Sequence, residues 1–370
     1  MHLPEDLVLE ILSKVPAVSL ARFRSTCRRW NALVVDGSFA KKHYAYGPRQ
    51  YPIVIMLIEF RVYLVSIDLH GINNNNGAPS AKLTGQFSLK DPLSNSSEEV
   101  DIRNAFHCDG LLLCCTKDRR LVVWNPCSGE TKWIQPRNSY KESDLYALGY
   151  DNRSSSYKIL RMHPVGNPFH IESEVYDFAS HSWRSVGVTT DFHIQTNESY
   201  GMNVKGTTYW FALSKDWWSS DDRRFLLSFD FSRERFQCLP LPADVKNLHL
   251  TVVLSVTREE QQLCMFATLG AGNVYKLDVF VATKTEETTG ELTWTKFRRF
   301  HSKICINVSA DHEKKVLVPH HILLPYYNIL HIVGEDIYIR QVNKDGDIGC
   351  PILLTYVPSL VQIQQATGLI

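Results

Sequence analysis

Residues 121–134 read LVVWNPCSGETKWI, and this stretch decides the fold. Four apolar or aromatic residues lead to Asn125, a short polar turn follows, and the chain returns to an aromatic residue at Trp133. Runs of Val, Leu and Trp bounded by Asn, Pro, Ser and Gly are typical of strands joined by turns. The Asn side chain is suited to organise such a turn through hydrogen bonds with nearby backbone groups. The stretch therefore predicts two antiparallel strands joined at Asn125.

The same arrangement returns in SEVYDFASHSWRSV (173–186), LLSFDFSRERFQCL (226–239) and YKLDVFVATK (275–284). Each copy has an apolar strand that ends near an Asn or Asp, and an insertion delays the partner aromatic of the last copy, Trp294. An upstream copy, YLVSIDLH, carries its Asp 57 residues before Asn125, and the later anchors follow at intervals of 52, 53 and 48 residues. The predicted anchors are Asp68, Asn125, Asp177, Asp230 and Asp278.

A repeat of about 50 residues has room for four short strands with their loops, which is one blade of a kelch-type β-propeller. One continuous sheet of this size would leave long exposed edges, whereas radial closure leaves only short ones. We therefore predict a mainly β fold with a small N-terminal α-helical motif, in which residues 46–370 form a propeller of about five to six blades. A plain β-sandwich with coincidental spacing is the alternative.

Residues 3–30, LPEDLVLEILSKVPAVSLARFRSTCRRW, have the clearest helical pattern in the chain. Apolar residues from Leu7 to Val15 recur at helical spacing, and Pro16 ends this first helix because it cannot donate a backbone hydrogen bond. A second apolar stripe runs from Leu20 to Trp30, with arginines on the opposite face. So short a unit rarely folds alone. We expect it to pack on the rest of the chain or to offer apolar surface to a partner.

This N-terminal head resembles the F-box, which implies a three-helix unit over residues 1–45 that inserts into the Skp-family adaptor of a cullin–RING ubiquitin ligase. An ordinary helical hairpin that caps a larger domain is the alternative. Phe23 and Val34 are expected to pack within the head. The residues that carry the resemblance are Leu3-Pro4, Asp6-Leu7, Glu10-Ile11-Leu12, Val15-Pro16, Leu20, Arg22-Phe23-Arg24, Cys27 and Trp30. The implied adaptor contacts are Leu3, Pro4, Leu7, Ile11, Leu12, Val15, Pro16, Leu20, Cys27 and Trp30.

A set of short segments lies between about residue 100 and residue 360 of the body. The segments include Gly110 to Leu113, Val123-Trp124-Asn125-Pro126 with Trp133, Ala147 to Asp151 with Tyr157 to Leu160, Tyr176-Asp177 with Trp183, Lys205-Gly206 with Tyr209-Trp210, Leu226 to Phe231 with Arg235-Phe236 and Leu239 to Pro242, and Tyr356 to Leu360. In this order behind an F-box, they resemble the type 1 F-box-associated domain of plant F-box proteins. Each segment is short, and their order makes the set specific.

Composition gives no reason to expect binding to nucleic acid or to a membrane. The formal net charge of the 370 residues is +1, although residues 1–50 hold 8 Lys and Arg against 4 Asp and Glu. A basic head favours an acidic partner surface. The N-terminus lacks the pattern of a secretory signal, and the nine cysteines lie mostly within apolar runs. We therefore expect reduced thiols in an intracellular protein of the nucleus or cytoplasm that is not secreted.

No catalytic motif stands out, and we predict no catalytic residue, metal or cofactor. The chain lacks a P-loop, a G-x-S-x-G motif, an H-E-x-x-H motif and a dinucleotide-binding fingerprint. Cys108, Cys114 and Cys115 do not form a C-x-x-C pair, and adjacent residues of a strand face opposite sides of the sheet. We expect these cysteines to be core residues.

Two polar segments with aromatic residues are candidate recognition loops. The first covers residues 215–224, KDWWSSDDRR, and the second covers residues 163–170, HPVGNPFH. Exposed Trp and Arg are frequent anchors of protein-binding surfaces. The predicted substrate-binding residues are Trp217, Trp218, Arg223, Arg224, Phe169 and His170.

These patterns favour a non-catalytic substrate receptor of an SCF-type (Skp–cullin–F-box) ubiquitin ligase, whose partners are the adaptor and an unidentified substrate protein. A propeller-based enzyme or a binder of small ligands or glycans, with the head as a cap, is one alternative. It would need a deep pocket with convergent polar groups. An F-box protein that acts without ubiquitination is another.

Overall fold

The computed structural model describes residues 4–363 with several gaps. The gaps are residues 25, 27, 48–52, 69–79, 93–97, 136, 138–139, 190–191, 195–200, 217–223, 247–251, 257–261, 272–273, 285–290, 303–306, 312–315 and 321–351. The described residues form two compact units. The first comprises residues 1–66, 83–142 and 352–370, and the second comprises residues 67–82 and 143–351.

The head contains four helices: α1 (Glu5–Ser13), α2 (Ala17–Phe23), α3 (Arg28–Val35) and α4 (Gly37–Tyr46). Pro4 and Pro16 stand immediately before α1 and α2, where the missing N–H group costs nothing. Asp36 caps α4 by accepting a hydrogen bond from the Phe39 N–H at 2.8 Å. The prediction of three helices is corrected to four, because the second apolar stripe is interrupted after Phe23. The domain boundary after residue 45 stays a prediction.

Beyond the head, the described chain consists of strands and one short helix. The strands are β1 (Ile53–Ile58), β2 (Arg61–Asp68), β3 (Ser80–Phe87), β4 (Ile102–Cys108), β5 (Leu111–Thr116), β6 (Leu121–Trp124), β7 (Thr131–Ile134), β8 (Leu145–Asp151), β9 (Ser156–Val165), β10 (Asn167–Asp177), β11 (Ser182–Thr189), β12 (Phe192–Ile194), β13 (Met202–Val204), β14 (Thr207–Ser214), β15 (Arg224–Asp230), β16 (Arg235–Leu239), β17 (Val252–Val256), β18 (Leu263–Ala271), β19 (Val274–Lys284), β20 (Leu292–Ser302), β21 (Asn307–Asp311), β22 (Val316–His320) and β23 (Ile352–Tyr356). The helix, α5 (Ala243–Lys246), follows β16.

The strands form five antiparallel sheets of four or five strands, each of which is a propeller blade. Blade 1 has the order β23-β1-β2-β3, blade 2 is β4-β5-β6-β7, and blade 3 is β11-β10-β9-β8. Blade 4 is β12-β14-β15-β16 with β13 also paired to β14, blade 5 is β17-β18-β19-β20, and β21 and β22 form a separate pair. The mainly β propeller fold is confirmed, and the sandwich alternative is wrong, because blades 2 to 5 are built from neighbouring strands of the sequence and blade 1 consists of β1 to β3 closed by β23.

Blade 1 joins the two ends of the propeller sequence. Strand β23 pairs antiparallel with β1, from Ile53 opposite Tyr356 to Leu57 opposite Ile352. Blades 1 and 2 share a buried apolar cluster, in which Trp124 and Tyr356 both contact the Phe87 ring with centroids 5.7 and 6.0 Å apart. The last described strand is therefore part of the core of the first unit.

The second unit has its own buried cores, and charged groups lie inside it as well. The Lys158 ammonium is 2.5 Å from Asp151 and 2.7 Å from Glu234. Gly149 on β8 lies so close to the buried Phe231 ring that a Cβ atom would come within 2.1 Å of it. These contacts join blade 3 to blade 4.

Three of the predicted anchors close turns at strand ends, each by accepting a hydrogen bond from a backbone N–H two residues later. These are Asn125 from Cys127 at 2.9 Å, Asp177 from Ala179 at 2.8 Å and Asp230 from Ser232 at 2.8 Å. Asp278 is different: it lies within β19, is 1% exposed and pairs with the Lys296 ammonium at 2.8 Å. Its assignment as a turn anchor is wrong, since a buried ion pair explains this carboxylate. Asp68 ends β2, and its side chain lies outside the described part.

Candidate docking site on the helical head

The inner side of the head is an apolar core. Its buried members are Leu12, Ala17, Leu20, Val34, Phe39 and Ala40 from the helices, together with Leu360 from the C-terminal end of the described chain. Leu12 and Leu20 are 2% and 0% exposed, so they pack within the head rather than on its surface. The expectation that Val34 packs inside is confirmed, since it is 2% exposed.

The outer side of α1 carries a different apolar pair. Leu7 is 46% exposed and Ile11 is 54% exposed, and residues four apart are neighbours on one helix face. The single apolar stripe predicted for this helix is therefore divided between two surfaces, with Leu12 turned to the core and this pair turned to solvent. Complete burial of such a side chain is worth about 1.5–3 kcal/mol, so a partner that covers the pair gains affinity from it.

The other predicted adaptor contacts take intermediate positions. Val15 and Trp30 are partly buried against the head core, Pro16 is partly buried and Pro4 is exposed. The Val15 carbonyl oxygen also lies 2.7 Å from His43 Nε2 on α4, which ties the α1–α2 turn to the last helix. Leu3 and Cys27 lie outside the described residues.

Phe23 is an exposed aromatic that the sequence prediction placed inside the head. It is 38% exposed and its ring centroid is 6.0 Å from that of Trp30. The expectation of internal packing is wrong because Phe23 is the last residue of α2, where the helix ends before its side chain is covered. The spacing of apolar residues does not indicate that Phe23 is exposed. The polar residues that follow it in the sequence are the signal that favours a surface position.

Basic side chains are exposed on three of the four helices of the head and immediately after the other one, α1. Arg22, Arg28 and Lys42 are exposed on α2, α3 and α4. Lys14 is exposed too, and it forms a solvent-exposed pair with Glu10 at 3.5 Å. The described surface of the head thus carries apolar and basic side chains, with the exposed acids Asp6 and Glu10 beside the apolar pair on α1. Exposed basic side chains favour association with an acidic partner.

The first predicted substrate loop lies mostly outside the described residues, and the second forms part of a hairpin. Trp217, Trp218 and Arg223 lie outside the described residues, and Arg224 is partly buried at the start of β15. Residues 163–170 form the end of the β9–β10 hairpin instead of a loop.

In that hairpin Gly166 takes a φ of +71° at the turn, a conformation that glycine adopts without strain. The pairing is irregular between Asn167 and Ile171, and this irregularity places Pro168 where no ladder hydrogen bond is needed. Phe169 and His170 are partly buried, and the Phe169 ring contacts His193 with centroids 5.9 Å apart.

Buried titratable groups give no sign of nucleophilic or metal chemistry in the described part of the chain. Burial lowers the pKa of His107 to about 4 and raises the pKa of the Cys108 and Cys114 thiols. A thiol that stays protonated is a poor nucleophile. Among the described residues, no three His, Cys, Asp or Glu side chains are grouped so that they could hold a metal ion. None of the described helices is long and apolar enough to cross a bilayer.

Comparison with known proteins identifies both parts of the chain. Residues 1–42 match the F-box domain, and residues 53–363 match the F-box associated beta propeller domain. The chain belongs to the F-box proteins with an associated β-propeller. An F-box protein of Arabidopsis thaliana is 57% identical over 99% of this chain and 98% of its own length.

Other relatives of this F-box protein have the same extent. A second Arabidopsis thaliana F-box protein is 46% identical over 98% of both chains. A protein of the same plant named as an F-box/kelch-repeat protein is 40% identical over 98% of this chain and 95% of its own length. The match therefore covers the head and the propeller together.

Proposed function

We propose that this F-box protein is the substrate-recognition subunit of an SCF-type ubiquitin ligase. The head docks a Skp-family adaptor, through it a cullin–RING ligase, and the propeller binds a target protein. The observation that carries the proposal is the exposure of Leu7 and Ile11 on the outer face of α1. Apolar side chains that remain half exposed beside a packed core are typical of a protein-binding surface.

The ten adaptor contacts implied by the resemblance divide into two roles in this proposal. Leu7, Ile11 and Trp30 contact the adaptor, with Phe23 added to them, while Leu12 and Leu20 support that face from behind. Leu3, Pro4, Val15, Pro16 and Cys27 remain proposed contacts. The exposed arginines and Lys42 attract an acidic adaptor and contribute more to the rate of association than to affinity.

The chain performs no bond chemistry in this proposal and needs no cofactor or metal. Its contribution is to raise the local concentration of substrate lysines near the ubiquitin-loaded enzyme. Substrate capture by Trp217, Trp218, Arg223, Arg224, Phe169 and His170 remains part of the proposal, as does a place in the nucleus or cytoplasm.

The test is the affinity of the full-length protein for a purified plant Skp-family adaptor, measured by calorimetry. The double variant Leu7→Asp/Ile11→Asp is expected to weaken binding by about 100-fold or more, because it places two charges in an apolar contact. The matched variant Leu7→Met/Ile11→Leu keeps the apolar face and should bind within about threefold of the wild type.

A charge control separates this contact from a general electrostatic effect. Ala32→Asp adds one negative charge at an exposed position of α3 and is expected to change the affinity by less than about threefold. Undiminished adaptor binding by the Leu7→Asp/Ile11→Asp variant would show that the outer face of α1 is not the docking site.

A further inference from the structure

The end of the described chain forms a buried connection between the head and blade 2. Residues 359–363, called here the C-terminal latch, follow β23 without regular secondary structure. Four of these five residues are nonetheless buried: Ser359 is 0% exposed, Leu360 3%, Val361 8% and Ile363 2%. An irregular segment at such burial must have its polar backbone groups satisfied by neighbours.

Blade 2 supplies those neighbours. The Asn125 side-chain amide donates to the carbonyl oxygens of Ser359 at 3.1 Å and Val361 at 2.8 Å. The Ile363 N–H donates to the Glu130 carboxylate at 3.2 Å. Both acceptor and donor groups of the latch are thus held by the β6–β7 turn.

The β4–β5 turn holds the latch from a second direction. The Ser359 hydroxyl donates to the Asp109 carbonyl oxygen at 2.6 Å. Gly110 has a φ of +82°, and a Cβ atom there would lie 2.3 Å from the Ser359 hydroxyl oxygen. The close fit leaves no room for a side chain at Gly110, so Ser359 packs directly on the β4–β5 turn.

The head contacts the other side of the latch. Leu360 is a buried member of the head core with Leu12 and Leu20, and Cys127 from the β6–β7 turn packs against the same cluster. Burial raises the pKa of the Cys127 thiol to about 12, against the opposing effect of the nearby Arg24. Head, latch and blade 2 therefore share one packed interface within the first unit.

We propose that the C-terminal latch fixes the orientation of the head on blade 2 and that Leu360 is a positioning residue for ubiquitin transfer. This inference rests on the proposed ligase function for its consequence. A fixed head holds the adaptor at one distance and direction from blade 2, so the first unit presents the same lysines at each encounter. If the head were loosely attached, the adaptor would take many orientations, and the effective concentration of lysines near the ubiquitin-loaded enzyme would be divided among them.

The test compares Leu360→Ala with two controls in the full-length protein. Leu360→Met keeps the volume of the side chain and should behave as the wild type. Leu263→Ala removes a leucine with the same 3% exposure from blade 5, which controls for a general loss of core packing. The first readout is the alkylation rate of Cys127 by N-ethylmaleimide, resolved by peptide mass spectrometry, with the exposed Cys238 as internal reference.

Release of the head from the latch returns the Cys127 thiol to water. We expect Leu360→Ala to speed its alkylation about tenfold or more, with Leu360→Met and Leu263→Ala within about twofold of the wild type. The second readout is the electron-spin distance distribution between labels introduced at Lys42 and Arg119, both exposed. It should broaden in Leu360→Ala and stay unchanged in the controls, and an unchanged width would overturn the proposal.

Adaptor affinity and modification sites separate this inference from the proposed function. Leu360→Ala should bind the Skp-family adaptor within about tenfold of the wild type, because Leu7 and Ile11 lie on the outer face of α1. In a reconstituted ligase its self-ubiquitination should spread to more lysines. A larger loss of affinity, or an unchanged set of lysines, would refute the positioning role. Failure of the wild type to bind adaptor would refute the ligase function, and with it the positioning role.

Discussion

The substitution Asn125→Asp removes the hydrogen bonds that the Asn125 side chain donates and keeps those that it accepts. The wild-type side chain accepts hydrogen bonds from the Cys127 and Ser128 N–H groups at 2.9 and 3.3 Å, and it donates to the Ser359 and Val361 carbonyl oxygens. Aspartate has the same shape and keeps both acceptor contacts. It loses both donor contacts, and a carboxylate oxygen then faces two carbonyl oxygens at a site with 0% exposure.

The expected loss of stability follows from these contacts. Two hydrogen bonds contribute about 1 kcal/mol each, and each buried carbonyl left without a donor costs about 1–3 kcal/mol. Allowing for partial relaxation, we expect Asn125→Asp to lower the free energy of unfolding by about 4 kcal/mol. Chemical denaturation at pH 8, followed by tryptophan fluorescence, measures this difference.

The pH dependence of the Asn125→Asp penalty gives a second, independent check. Burial beside carbonyl oxygens raises the pKa of the introduced carboxyl group above its value in the unfolded chain. The free energy of unfolding of the variant therefore rises relative to that of the wild type as the pH falls, because the protonated carboxyl group donates one hydrogen bond. The stability gap between variant and wild type should be smaller at pH 5 than at pH 8.

Asp230→Asn is the matched control, since it makes the reverse substitution in the same kind of turn. Asp230 accepts from the Ser232 and Arg233 N–H groups at 2.8 and 2.9 Å, and asparagine keeps that oxygen. We expect a loss below about 1 kcal/mol. If Asn125→Asp loses no more stability than Asp230→Asn, the donor contacts to the latch contribute nothing. A stability difference between Asn125→Asp and the wild type that does not change with pH would show the same.

Two further outcomes test the second unit. Gly149→Ala should lower the free energy of unfolding by about 3 kcal/mol because its Cβ meets the buried Phe231 ring. Thermal unfolding measures this loss. If the smaller side chain of Phe231→Leu does not relieve the loss in a double variant, the steric explanation is wrong. Burial is the largest single effect and disfavours ionisation of Asp151, but the hydrogen bonds from Lys158, Ser154 and the Arg153 N–H, together with the charge of Lys158, outweigh it and lower the pKa of Asp151 to about 2. The group therefore stabilises the fold above pH 3.8 and loses this contribution as the pH falls towards 2. Denaturation curves should show Asp151→Asn less stable than the wild type by about 2 kcal/mol at pH 6, a gap that closes towards pH 2; a constant gap would refute the linkage.

The propeller was predictable because its signal is local and repeated. Strands, turn residues and a spacing near 50 residues recur several times, so one irregular copy does not hide the pattern. Asp278 does not fit this pattern. An aspartate at the expected interval looks the same in the sequence whether it closes a turn or, as here, forms a buried pair with Lys296 inside a strand.

The candidate docking site was only partly predictable. The spacing of apolar residues in α1 identifies a helix with a broad apolar side, but it does not say which part faces the core. Leu12 turned inward and Ile11 turned outward are adjacent in the sequence, and only the tertiary packing separates them. No local pattern predicts the contacts of the latch, because Asn125 and its acceptor Val361 are 236 positions apart.

The pairing of β23 with β1 has a consequence for synthesis on the ribosome. Roughly 300 residues separate the two strands, so at about 5–20 residues per second the edge of β1 waits on the order of 15–60 s for its partner. During that time the nascent chain has an unpaired apolar edge of the kind that chaperones bind. A message cut short before codon 352 gives a product that never covers this edge. Cellular proteases are therefore expected to remove truncated copies before they compete with complete ones.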